Sequence, residues 1–121
     1  MSNIFRFRNF PVYKDTLVFD KEIRKLAKFF PKEEKYGLIS QLCRASDSVL
    51  LNIAEGSDRY SDQDFSRFLN QSLTSLNEVV ACLDIAFENE YIEEKTRVEF
   101  IEKSDKIYRQ LAAFSSRLRK K

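Results

Sequence analysis

Apolar residues recur at helical spacing through most of the chain, and the breaks in that rhythm divide it into four stretches. Phe19, Ile23, Leu26 and Phe30 stand 4-3-4 apart with Ala27 beside them, which predicts a first helix over about 15–29 with one buried stripe. Pro31 breaks it and, because the first helical turn needs no N–H, suits the start of a second. There Ile39, Leu42, Ser46, Val49 and Ile53 make one stripe, and Leu38, Ala45 and Asn52 a second beside it. Glu33 and Glu34 fall at the positive end of that helix's dipole, and Gly37 leaves room for a neighbour at some loss of helix propensity. A third helix follows over about 61–89. Phe65, Leu69, Ser72, Leu76, Val79, Leu83 and Ala86 form its first seam, and Leu73, Val80 and Phe87 a second at heptad spacing. The fourth, over about 93–118, buries Phe100, Ile107, Leu111, Phe114 and Leu118, flanked by Ile101 and Tyr108.

The pivot is the stretch LLNIAEGSDRYSDQDFSR. Gly56 reads as a left-handed helix terminator, Ser57 and Asp58 as turn residues, and Ser61 with Asp64 as an N-cap with an acid three residues on. Helix stop, short turn and helix start fix an antiparallel pair in mid-chain. The fold class predicted is all-α, an antiparallel up-down-up-down four-helix bundle formed by residues 1–121 as one domain. Residues 1–13 alternate apolar and polar groups up to Pro11 and predict an extended N-terminal arm; residues 119–121 predict a frayed basic tail.

Composition narrows the picture further. Two glycines, two prolines and 33% charged residues favour long helices over short strands. The absence of a long apolar run and of a signal-peptide core predicts a cytoplasmic protein without a membrane role. Cys43 and Cys82, both on predicted helices and without metal-ligand spacing, read as reduced core thiols. The chain has no histidine, no glycine-rich phosphate loop and no CxxC or HExxH motif, so catalytic residues, cofactors and metal are all predicted to be none. Asp58, Asp62 and Asp64 suit turn and capping chemistry better than a metal site.

The formal charge of +2 hides a segregation: residues 61–90 carry one basic group, Arg67, against six acids, whereas both ends of the chain are basic. Lys21, Arg24, Lys25 and Lys28 on the first helix, with Lys103, Lys106, Arg109, Arg117 and Arg119 on the fourth and its tail, offer phosphate contacts. Arg6 and Arg8 among Phe5, Phe7 and Phe10 add the interleaving of cations and rings that suits stacked bases. The competing reading makes these groups solvated helix faces, with the phenylalanines closing the bundle. Asn52, Glu55 and Arg59, at 3-4 spacing, join Gly56 and Arg67 as a candidate structural or oligomer network. The broad apolar arc of the second helix and the double seam of the third predict surplus apolar surface that other copies of the chain cover.

The run from Phe30-Pro31 and Glu34 through Tyr36-Gly37-Leu38, Gln41 and Arg44-Ala45 to Asn52-Ile53-Ala54-Glu55-Gly56 and Arg59 resembles the four-helix-bundle proteins encoded by intervening sequences of bacterial 23S ribosomal RNA genes. Phe65, Arg67-Phe68-Leu69, Ser75-Leu76, Glu78 and Tyr91-Ile92 extend the likeness over about residues 30–92. The resemblance implies an up-down bundle assembled as a ring-like homopentamer. It also implies kinship with the accessory subunits of diversity-generating retroelements, which bind nucleic acid and a reverse transcriptase. Together these readings predict a non-catalytic homo-oligomer that binds RNA or DNA through repeated basic surfaces, with a reverse transcriptase as one possible protein partner; the alternative is a protein–protein scaffold with no nucleic-acid role.

Overall fold

The computed structural model describes residues 4–120. After a 3-10 turn (Arg6–Asn9) come four α-helices: α1 (Pro11–Ala27), α2 (Leu38–Gly56), α3 (Asp62–Glu88) and α4 (Glu94–Arg119), with a second 3-10 turn (Lys32–Glu34) between α1 and α2. Each helix packs on its neighbours in the cycle α1–α2–α3–α4–α1, and among the described residues the Cα atoms of the diagonal pairs stay more than 8 Å apart. Partners run in opposite order along every adjacent pair. Ser72 and Ser75 of α3 bond Val49 and Ser48 of α2, Ser66 and Asp84 of α3 meet Ser115 and Arg97 of α4, and Asp15 and Glu22 of α1 meet Gln110 and Lys103 of α4. Residues 6 and 24 likewise reach 57 and 47. The chain is therefore an antiparallel, up-down-up-down four-helix bundle. Its tightest pairings are α2 with α3 and α3 with α4; those of α1 are looser.

The core follows the predicted stripes. Ile23, Leu42, Ile53, Leu69, Leu76, Leu83 and Leu111 are sealed from solvent, each worth about 1.5–3 kcal/mol of transfer free energy. Serines fill the closest approaches: Ser72 donates from α3 to the Val49 carbonyl of α2 at 2.8 Å, and the buried Ser66 and Ser115 hydroxyls join α3 to α4. The second seam of α3 is used inside the chain, with Leu73 and Phe87 half-buried against the core cluster. So is most of the broad arc of α2, where Leu51 alone among the large apolar residues is exposed. The surplus apolar surface expected on these two helices is thus largely taken up within the bundle. What remains exposed is scattered, including Leu17 and Val18 on α1, Ile85 on α3, and Phe29, Tyr36 and Tyr60 in the turns.

Boundaries differ from the sequence expectation in four places. The arm is not extended: the backbone amides of Phe10 and Lys14 donate back to the carbonyls of Phe7 and Phe10, and Pro11 opens α1 at its first position. Phe7 and Phe10 leave the alternating pattern to pack on Tyr13, Phe65 and Phe114. Pro31 opens only the short 3-10 turn, and α2 begins at Leu38, seven residues later than Pro31. The tail is helical to Arg119, whose guanidinium donates to the Ser115 and Ser66 hydroxyls at 2.7 and 3.3 Å; Lys121 lies outside the described residues.

Gly56 is the fourth difference. Its φ is not positive, so it does not end α2 by a left-handed turn. Instead the backbone lies so close to α3 that an added Cβ would stand 2.6 Å from the Cβ of Phe68 and 2.9 Å from the Phe65 ring. The left-handed residue among those described is Glu90, at φ 64°, where the backbone amides of Glu90 and Tyr91 donate to the carbonyls of Phe87 and Ala86 in a Schellman end to α3. The start of α3 matches expectation, with the Ser61 hydroxyl accepting from the Asp64 backbone amide at 3.0 Å.

Gly56→Ala sets a helix-propensity gain of about 1 kcal/mol against overpacking that costs about 1–3 kcal/mol. A Cβ cannot rotate aside, so the variant is expected to lose stability by urea denaturation; a raised midpoint would contradict the close approach.

Candidate nucleic-acid interface

The basic residues singled out in the sequence separate into those already engaged and those left free. Arg6 is engaged: its guanidinium donates to the Ser57 carbonyl at 2.7 and 3.2 Å, at the negative end of α2, and lies 5.5 Å from the Phe10 ring centroid and 5.6 Å from that of Phe65. It fastens the N-terminal turn over the end of the bundle. Arg24 is held by both oxygens of Asp47 at 2.7 and 2.6 Å and by Asp20 at 3.3 Å. Hydrogen bonding to Asp47 raises the Arg24 pKa, while burial pushes the Asp20 carboxyl up despite the Ser46 hydroxyl donated to it. Lys103 is bound to Glu22 and Glu99, which raise its pKa, and Arg109 to Asp105. Arg117 lies over Phe114 and Arg119 on the serines of α3 and α4.

Arg8, Lys21, Lys25, Lys28 and Lys106 carry no ion pair among the described residues. Lys28 belongs to a larger feature. A groove of about 660 Å³ runs between the end of α1 and the start of α2, and Arg24, Lys28, Lys32 and Lys35 line it. Its floor is apolar, from Ala27, Phe30, Ile39 and Cys43, and none of its lining residues is acidic. Burial pushes the Cys43 thiol up, which keeps it protonated. Lys32 and Lys35 had no part in the sequence prediction, which drew its cations from the N-terminal arm and the first and fourth helices. The signal lay in the local order of residues: a lysine-rich turn between the exposed rings of Phe29 and Tyr36.

The turn that carries Lys32 and Lys35 is fixed by Glu34. One carboxylate oxygen accepts from the Leu38 backbone amide at 3.0 Å, closing the open start of α2, and the other accepts from the Tyr91 hydroxyl at 2.8 Å across the bundle end. The first bond, then the second, holds the Glu34 pKa below its usual value; the same carboxylate raises that of Tyr91. Gly37 leaves this path open, since a Cβ there would stand 2.7 Å from the bonding oxygen.

The predicted network forms in part. Arg59 and Arg67 both reach Asp64, at 3.9 and 2.8 Å, and both lie over the Phe68 ring, at 4.4 and 4.8 Å. Asn52 turns to Ser48 on its own helix, and α2 ends at Gly56, so Asn52 and Glu55 do not join the arginines. Glu55 and Arg59 instead line a shallow hollow beside Phe5 and Phe7. Among the described residues no cluster of acids and cysteines is placed to hold a metal ion, and no helix is long and apolar enough to cross a membrane.

Comparison with known proteins agrees with the fold. The sequence profile of the family described as 23S rRNA-intervening sequence protein matches residues 8–113. A protein of unknown function from the S23 ribosomal protein family of Bacteroides thetaiotaomicron, solved by crystallography, superposes with a TM-score of 0.79 at 28% identity. The match covers 87% of this chain and 95% of that one. A search among curated proteins found no match.

Because the Glu34 pKa is lowered, the stability of its two bonds is present above the ordinary value of 4.5 and is lost as pH falls through the depressed folded value. The amide of Leu38 is therefore expected to exchange faster on acidification after correction for intrinsic rates, and Tyr91→Phe to bring part of that loss on at neutral pH. An unchanged Leu38 protection factor in the variant would show that Tyr91 does not hold the turn.

Proposed function

The chain belongs to the 23S rRNA-intervening sequence protein family, and on that footing we propose that it binds RNA or DNA electrostatically through the groove between α1 and α2, without catalysing a reaction. The observation that carries this reading is the convergence of Arg24, Lys28, Lys32 and Lys35 on one groove that no acid lines. Arg24 is neutralised by Asp47 and Asp20, so the lysines supply the contacts. Each phosphate they meet releases condensed counterions, which makes binding fall steeply with salt. Lys21 and Lys25, exposed and unpaired on α1, extend the basic surface away from the groove.

We further read the chain as a cytoplasmic homo-oligomer, a pentameric ring. Leu51, 60% exposed, lies on the α2–α3 face with Arg44 and Glu78, neither of which has an ion pair among the described residues. Such a patch suits a contact with a different face of a neighbouring copy. A ring would repeat each groove and turn weak sites into a strong multivalent one. Both cysteines are unpaired, as suits a reducing compartment.

Combining Lys28→Gln, Lys32→Gln and Lys35→Gln is expected to weaken oligonucleotide binding and to make the log K against log salt slope shallower by roughly two to three. A parent chain with no salt-dependent binding would leave a pure scaffold as the function. Light scattering of the parent chain is expected to give a multiple of the 14.3 kDa subunit mass; a monomer at every concentration would end the ring.

A further inference from the structure

We infer that the groove takes single-stranded nucleic acid, with bases on its apolar parts and phosphates on its lysines. The inference rests on the proposed function and adds which form of nucleic acid fits. A surface that read phosphates alone would need only cations. This one sets Lys28, Lys32 and Lys35 around a floor that includes Ala27, Phe30 and Ile39. Next to lining residues in the chain stand two bare rings that are not themselves part of the lining: Phe29, between Lys28 and Phe30, is 81% exposed, and Tyr36, after Lys35, is 88% exposed. The ammonium of Lys35 lies 5.3 Å from the Tyr36 ring centroid, which puts that ring beside a groove cation.

Apolar surface so close to free cations matches a ligand that is both anionic and flat-faced. In a duplex each base is covered above and below by its neighbours, and only edges and phosphates face outward. A single strand exposes base faces next to its phosphates, and aromatic rings stack on any base whatever its sequence. The groove and its two rings thus complement an unpaired strand and leave their apolar part idle against a duplex. The rings of the N-terminal turn do not compete for this role, since Phe7 and Phe10 are packed on the aromatic cluster of the bundle end.

The test titrates the full-length chain with a labelled mixed-sequence 20-mer as single-stranded RNA, as single-stranded DNA and as the DNA duplex, beside polyglutamate of equal charge. Single strands are expected to bind more tightly than the duplex, and polyglutamate least. Phe29→Ala and Tyr36→Ala, at exposed positions where folding can be verified by circular dichroism, are each expected to weaken single-strand binding roughly 5-fold or more without changing its salt slope. Duplex or polyglutamate binding as tight as the single strands would overturn the inference, as would ring variants that bind like the parent chain. In those cases a lysine variant that still binds weakly leaves the proposed function standing. Failure of the parent chain to bind any of the nucleic acids removes both.

Discussion

One carboxylate sets the geometry at the basic end of this bundle. Glu34 closes the start of α2 through the Leu38 backbone amide and reaches across to the Tyr91 hydroxyl beyond the end of α3. The turns that follow α1 and α3 are thereby tied at the same end of an up-down bundle. Together with buried Phe30 and the backbone bonds of the 3-10 turn, that tie holds the segment that brings Lys32 and Lys35 to the same groove as Lys28. The charge that helps to build this site is an acid that is not among the groove's lining residues and forms no ion pair with its lysines.

Several cations elsewhere are handled differently. Lys103, Arg109, Arg97 and Arg24 are each matched to carboxylates, at exposed or half-exposed positions where a single pair contributes about 1 kcal/mol or less. Arg6, Arg59 and Arg67 lie over aromatic rings and join chain segments. Small net charge is therefore compatible with a concentrated basic site: six cations are matched by ion pairs among the described residues, and the groove lysines are not among them.

Much of the fold was legible because α3 states it plainly. Ser61 caps the helix and the Phe65–Leu69–Ser72–Leu76 seam runs on without a breaker, so local preference and tertiary burial agree. Errors arose where one residue type has two uses. Pro11 and Pro31 both suit a helix start, but the chain begins a lasting helix only at Pro11. Gly56 was legible as a helix-end residue, yet its reason is closeness to Phe68, a contact with no local signature. At Glu90 the chain takes the left-handed turn with a residue that gives no warning of it. The groove was half legible: Lys28 stood on a basic helix face, whereas Lys32 and Lys35 depend on a turn set by a bond to Tyr91, 57 positions away. Arg6 shows the reverse case, a cation among rings whose charge is spent on the end of α2.

The looser seating of α1 has a consequence for motion. Sparser packing favours local opening, so α1 is expected to open more readily than the α2–α3 pair. Its last turn is one wall of the groove and α2 supplies the other, so any occupant bridges the least and the most firmly held parts of the bundle. Occupancy would then be felt along the whole length of α1 as slower opening, and a change at one end of the molecule would reach the N-terminal turn through a helix that needs no hinge.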